Sequence, residues 1–232
     1  DLRAFHARHY HPSNSFFYTY GNLPLEDHLR IIRERILSRF PRGEKIEGIK
    51  SQPRWPEPRE VREFYPASAD EDLSRKSQVC VAWLTSDIKE SFENLSLMLL
   101  GEILLGNSAS PLRKALIDSG LGSAMTDATG FDSDHRDAMF SCGLKEVSEH
   151  DAGKIEALVL ETLEKISSEG IEKELIDSSI HQLEFHRKEI TNTPYPYGLK
   201  LLIAFSGVWL HDGDPVRIIR FEEDISEIKR LC

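Results

Sequence analysis

The 232-residue chain is 40% hydrophobic and 29% charged, with a formal net charge of −10. That composition fits one large globular domain, or one domain plus part of another. The acidic balance argues against a nucleic-acid partner, which would need a basic face for phosphate contacts, and no apolar run of about 18 residues is present to span a membrane. It is compatible with attraction of basic peptides.

The first residues, Asp1-Leu2-Arg3-Ala4-Phe5, are already in a helical pattern without Met, and the chain stops at Cys232 at the end of another. Both termini are expected to be cut ends of a longer protein. Residues 2–10 read as the end of a helix, Pro12-Ser13-Asn14 as a turn, and the aromatic-rich Ser15–Tyr20 as a strand ended by Gly21-Asn22. A helix is expected from Pro24 to Phe40, with Leu25, Leu29, Ile32, Ile36 and Leu37 on one face.

Pro41 to Pro66 carries Pro41, Pro53, Pro56, Pro58 and Pro66 among many charges. Proline removes backbone donors and disfavours helix, so this stretch reads as an extended linker between domains, with a possible strand at Glu60–Tyr65. The domain expectation is therefore a partial domain over 1–40, a Pro-rich linker over 41–69, and a second domain over 70–232.

In the second domain Ser77–Leu84 is a nearly continuous apolar run, as expected of a strand covered on both faces or paired centrally. Ser86 and Asp87 are placed to cap a helix that runs to Leu105 and is apolar nearly all round in its second half, hence buried. Ser110-Pro111 opens a short helix, Ser as cap and Pro in the first turn, and Gly120 closes it in a left-handed conformation. Two strand-like segments, 122–131 and 137–146, flank a polar stretch from Asp132 to Arg136 and read as a hairpin. Ser148-Glu149-His150-Asp151 resembles a capping box. The helix after it, with Ile155, Leu158, Val159, Thr162, Leu163 and Ile166, ends at Gly170. Further helices are expected to about Ile190, over Leu199–Trp209 (largely buried), and over Glu222–Leu231, with Asn192–Gly198 a loop. Strands segregated from helices predict an α+β fold, helices packed on one face of a largely antiparallel sheet.

Cys80, Cys142 and Cys232 are odd in number and widely spaced, so no disulfide framework is read. Cys80 and Cys142 lie in apolar strand contexts and read as small hydrophobes. A reducing compartment fits best, cytoplasmic in a bacterium or an organellar matrix in a eukaryote.

Among nine histidines, His6 and His9 stand three apart on a helix, with His11 following. Zinc could use two imidazoles one turn apart, but no carboxylate nearby completes a ligand set. His181, Glu184 and His186 form H-x-x-E-x-H. Both H-E-x-x-H and H-x-x-E-H need their histidines four apart so that both meet one ion; here they are five apart, well off a shared helical face. His135 and His150 read as solvated. No phosphate loop, dinucleotide fingerprint or nucleophile elbow occurs. No catalytic, cofactor-binding or metal-ligating residue is assigned.

Several stretches in order are similar to the insulinase/pitrilysin zinc metallopeptidases, presequence-protease branch. They are Leu2-Arg3-Ala4-Phe5-His6, Tyr10-His11-Pro12-Ser13-Asn14 leading to Tyr20-Gly21, Ser110 through Gly122, Gly130-Phe131-Asp132-Ser133, and Trp209 through Pro215. The resemblance implies a polypeptide of two halves closing around a chamber. Zinc would be held in the first domain by H-x-x-E-H and a downstream Glu, the motif Glu being general base. Peptide would add to a sheet edge.

On that resemblance this segment starts after the motif and the third ligand. It would comprise the end of the zinc-bearing domain (1–40), the linker (41–69) and the second, non-catalytic domain (70–232). Zinc would belong to the parent and not to this segment. Partners would be peptide substrate in the parent and the remaining domains of the same polypeptide, with self-association of the segment through uncovered apolar residues such as Phe16, Tyr18, Leu29 and Ile36. The loop before Ser110 and the hairpin near Phe131 and Asp132 are the places to watch for chamber-facing residues. The competing reading is a peptide-binding or structural member of the same fold whose parent has no zinc chemistry.

Overall fold

The computed structural model describes residues 1–44 and 46–232; Lys45, inside the expected linker, lies outside the described residues. The chain divides into two compact units, one of residues 1–49 with 190–206, the other of 50–189 with 207–232. Residues 190–206, expected within a single domain over 70–232, thus group with the N-terminal residues.

In the first unit, helix α1 (Leu2–His9) opens with the Asp1 side chain accepting from the Arg3 backbone N–H. A 3₁₀ turn at Pro12–Asn14 follows, capped by His11 Nδ1, which accepts from Ser13 N–H. Ser15–Tyr20, expected as a strand, is assigned to none. A strand needs a neighbour for its N–H and C=O groups, and no ladder among the described residues reaches these residues.

The expected Pro24–Phe40 helix is α2 (Leu25–Arg35), and a separate 3₁₀ turn at Leu37–Arg39 completes the segment. Within the same unit Tyr18 meets Phe205 edge-on, with centroids 6.4 Å apart, and Tyr20 meets Tyr197 at 6.2 Å. No residue of 1–49 is classed as buried among those described, and in 190–206 only Gly198 is. The last long apolar helix, α7, therefore departs from expectation. It spans Tyr197–Leu210 but leaves Leu199, Ile203 and Leu210 exposed.

The second unit begins with an irregular Pro-rich stretch; Glu60–Tyr65 forms no strand there either. Its sheet has the order β1-β4-β2, from β1 (Ser77–Asp87), β4 (Asp137–Val147) and β2 (Ala124–Met125), with β3 (Gly130–Asp132) also pairing β4. Every pairing is antiparallel. The expected single strand over 122–131 is broken into β2 and β3 by a turn in which Thr129 N–H donates to the Thr126 carbonyl at 3.0 Å. β1 is an edge strand, not a central or doubly covered one. Its continuous apolar run sorts by alternation, so that Val79, Val81 and Trp83 face the core while Gln78, Cys80 and Ala82 are exposed. Between β1 and β4 the backbones approach so closely that a Cβ on Gly143 would sit 1.9 Å from the Val79 carbonyl oxygen.

Helices α3 (Ser91–Leu105), α4 (Pro111–Asp118) and α5 (Ala152–Glu169) cover one face of this sheet. Leu112 and Leu116 of α4, Ile155 and Val159 of α5, and Cys142 and Leu144 of β4 are all 0% exposed and form one cluster with Leu104 and Leu105. A second cluster joins Leu95, Leu99 and Ile103 of α3 to Ile180 of α6 (Lys173–Lys188) and to Ile225 and Ile228 of α9 (Phe221–Leu231). α3 contributes to both clusters, which explains a sequence apolar on nearly every side. A short helix, α8 (Val216–Ile219), precedes α9. The architecture is α+β, with helices packed on an antiparallel sheet.

Several expected helix caps are used differently. β1 runs through Asp87, so Ser86 is a strand residue; its Oγ donates to Asn94 Oδ1 at 2.8 Å, and Asn94 Nδ2 donates to the Asp87 carbonyl. Both Ser86 and Asn94 are buried, and the bonds tie the strand end to α3. Ser110 occupies the cap position of α4, but its hydroxyl accepts from Asn107 N–H at 3.1 Å and closes the preceding loop. Ser148 occupies the cap position of a 3₁₀ turn at Glu149–Asp151 that intervenes before α5, and its side chain makes no cap hydrogen bond. Gly120 adopts φ +67° as expected at the end of α4.

Candidate functional site

The histidines examined as ligands are dispersed. On α1, His6 stacks on Tyr10 with centroids 4.6 Å apart, and His9 stacks on Phe5 at 4.3 Å. On α6, His181 and His186 are exposed, while Glu184 between them is bound to Lys229 at 2.8 Å. That hydrogen bond to Lys229 is the main reason its carboxyl is held below the usual range. His135 Nδ1 lies 3.3 Å from Asp132 Oδ2 on the exposed hairpin. Among the described residues no group of three or more His, Cys, Asp or Glu lies close enough to hold a metal ion. Cys142 is buried, and desolvation pushes its thiol up to about 12, so it is inert at neutral pH.

Two polar features of the second unit remain. The first is an ionic network at one end of the sheet. Arg136 pairs with Asp87 at 2.7 Å and donates to the His211 carbonyl and to Ser51 Oγ. Beside it Asp137, whose side chain is only 8% exposed, accepts from Arg54 at 3.0 Å and from Gln52 N–H at 2.7 Å. Arg54 also donates to the Thr85 carbonyl. These bonds fasten the Pro-rich stretch to β1 and β4. His211 Nδ1 is buried there without a partner. Burial first, and then Arg136, hold its pKa below the ordinary histidine value, against Asp87, Asp212 and Asp137.

The second feature is a cleft of about 530 Å3 between α4 and the short strand β2. Ser108, Arg113, Lys114, Ile117, Asp118, Ser123, Ala124, Met125 and Lys145 line it. Its bases are engaged unequally. Lys114 pairs with Asp118 at 2.5 Å, Lys145 pairs with Asp127 at 2.8 Å, and Ser123 Oγ donates to Glu146. The Arg113 side chain makes no hydrogen bond or ion pair among the described residues.

Of the two places singled out in the sequence, the loop before Ser110 contributes Ser108 to this cleft, while Phe131 pairs in register with Phe140 across the sheet. Arg113 and Lys145 carried no motif. Only the one-turn spacing of Arg113 and Ile117 on a short helix hinted that they share a face.

Residues 1–183 match the family described as the peptidase M16 inactive domain. The chain therefore belongs to the M16 metallopeptidase family, as a member of its inactive-domain group, and it is presequence-protease-like. It is 36% identical over 230 residues to the mitochondrial presequence protease of Mus musculus, covering 99% of this chain and 22% of that protein. It is 34% identical over 234 residues to presequence protease 1, chloroplastic/mitochondrial, of Arabidopsis thaliana, covering 99% of this chain and 21% of that protein. It is 33% identical to protein HypA of Clostridium perfringens over 97% of this chain and 23% of the relative. The chain thus spans about a fifth of the length of these relatives. Among solved structures, the inactive peptidase domain of a putative zinc protease from Bordetella parapertussis aligns at a TM-score of 0.52 and 17% identity, over 64% of this chain and 75% of that one. That likeness concerns the fold.

Proposed function

We propose that this chain is a non-catalytic segment of a zinc metalloendopeptidase that degrades short unfolded peptides in a closed chamber. The segment supplies chamber wall and contacts to the remaining domains of the same polypeptide. The carrying observation is the match to an inactive peptidase domain within relatives called presequence proteases. In this reading residues 1–40 are the end of the zinc-bearing domain, 41–69 the linker and 70–232 the second domain. The family match runs through all three pieces as far as residue 183. Zinc would be held elsewhere in the parent, with peptide as substrate. An organellar matrix is the compartment if the parent is eukaryotic, as in the mitochondrial and chloroplastic relatives.

A sheet with helices on one face and with Gln78, Cys80 and Ala82 open on the other suits a wall surface. Sequencing the gene upstream of Asp1 tests the reading. H-x-x-E-H should be encoded there, and its absence would favour a structural or peptide-binding parent without zinc chemistry. This chain by itself should hold no stoichiometric zinc and cleave no peptide; a tightly bound ion on His6 or His181 would contradict the assignment.

A further inference from the structure

We propose that the cleft between α4 and β2 binds a carboxylate attached to an apolar group, and that its occupant is the free C-terminal residue of a short peptide. The inference deepens the peptide-handling role and rests on it for the choice of occupant.

The cleft holds about 530 Å3, room for a terminal residue and its neighbour, and it pairs cations with an apolar wall. Arg113 is partly buried and has no partner among the described residues. Its planar guanidinium suits bidentate capture of a carboxylate. Ile117, one turn further along α4, and Met125 of β2 offer apolar surface beside it. Lys145 is a second donor. Its present partner Asp127 has a side chain 87% exposed, and a surface pair of that kind contributes little, so an incoming carboxylate can replace it.

The anionic groups around the cleft set the charge of the ligand. Asp118 lines it, and Asp127 and Glu146 contact its lining residues. Asp118 and Asp127 match Lys114 and Lys145, and Glu146 is held by Ser123, so Arg113 is the one lining base without a carboxylate partner; the three carboxylates beside three bases leave no excess positive charge for a polyphosphate.

The test is direct binding to the whole chain. An N-terminally fluorescein-labelled hexapeptide ending in Leu is titrated as the free acid and as the C-terminal amide, with fluorescence anisotropy as the readout. The acid should bind about tenfold or more tightly than the amide, the scale expected for losing charge-assisted hydrogen bonds, and the preference should shrink with added salt. Arg113→Gln should abolish the preference, Arg113→Lys should restore part of it, and Lys154→Gln, on the outer face of α5, should leave it intact. Melting curves of the variants check that each is folded.

Equal binding of acid and amide, or an Arg113→Gln variant that keeps the preference, overturns the proposal. So does isovalerate shifting the Met125 methyl resonance while no peptide binds, because the cleft would then take a small acid and not a peptide end. None of these readouts depends on zinc or on the gene upstream of Asp1, so this proposal and the peptidase reading can fail separately.

Discussion

The two units are built to different standards of self-sufficiency. The second unit encloses Leu112, Leu116, Cys142, Leu144, Ile155 and Val159 completely. The first also holds many large apolar residues but encloses none of them, and Phe5, Phe16, Phe17, Tyr20, Leu25, Leu29 and Ile203 are exposed. The apolar fraction alone does not distinguish them. What differs is partnership: the second unit has a sheet on which its helices can lay an apolar face, and the first has α1, α2 and most of α7 with no sheet among the described residues. Scattered apolar surface of this kind marks a region made to pack on something else. In the proposed parent that cover is the rest of the zinc-bearing domain.

The largest expected contrast is a pair of truncations. Leu116→Ala, at a position 0% exposed, should destabilise the second unit by about 2–5 kcal/mol through lost contacts and a residual cavity. Leu29→Ala, at 57% exposed, should change stability by less than about 0.5 kcal/mol. Urea unfolding of both variants measures the difference, and equal effects would mean that the first unit possesses a core after all.

A smaller effect is expected where the Pro-rich stretch is fastened. Asp137→Ala removes the acceptor shared by Arg54 and the Gln52 N–H, leaves Arg54 its bond to the Thr85 carbonyl, and should cost about 0.5–1.5 kcal/mol because both donors reach water. Limited proteolysis should then cut residues 50–60 sooner in the variant than in the parent; unchanged cutting would show that the network is decorative.

The smallest effect is a pH dependence. His211 is held below its ordinary pKa in the folded chain, so the unfolded chain takes up that proton first, near pH 6.5. Stability attributable to this group is therefore lost as the pH falls from about 6.5 towards the folded pKa. His211→Gln should flatten the drop in urea midpoint between about pH 7 and pH 5.5 relative to the parent. A variant with the same slope would remove His211 from the network's energetics.

Much of the second unit was legible because its patterns are locally consistent. The heptad-like spacing of Ile155, Val159 and Ile166, the Pro111 start and the Gly120 stop each point to one structure. Burial was less legible. The run from Val79 to Leu84 is apolar on both faces, yet only tertiary placement makes it an edge strand with Cys80 and Ala82 uncovered. α7 is as apolar as α3, but α3 is shared by two clusters while α7 leaves Leu199, Ile203 and Leu210 exposed. Ser86, Ser110 and Ser148 are good cap residues by type, and two of them spend their hydroxyls on other partners. The cleft was illegible because Arg113 and Lys145 come from elements about thirty residues apart and meet only when β2 pairs with β4.

Hydrogen–deuterium exchange of the 232-residue chain tests the central contrast most directly. Amides of β4 from Asp137 to Val147 and of α5 from Ala152 to Glu169 should be the slowest to exchange, opening only with global unfolding. Those of residues 15–40 should exchange orders of magnitude faster, and a polypeptide extended on the N-terminal side should slow them. Equal protection of the two regions in the chain alone would contradict the account.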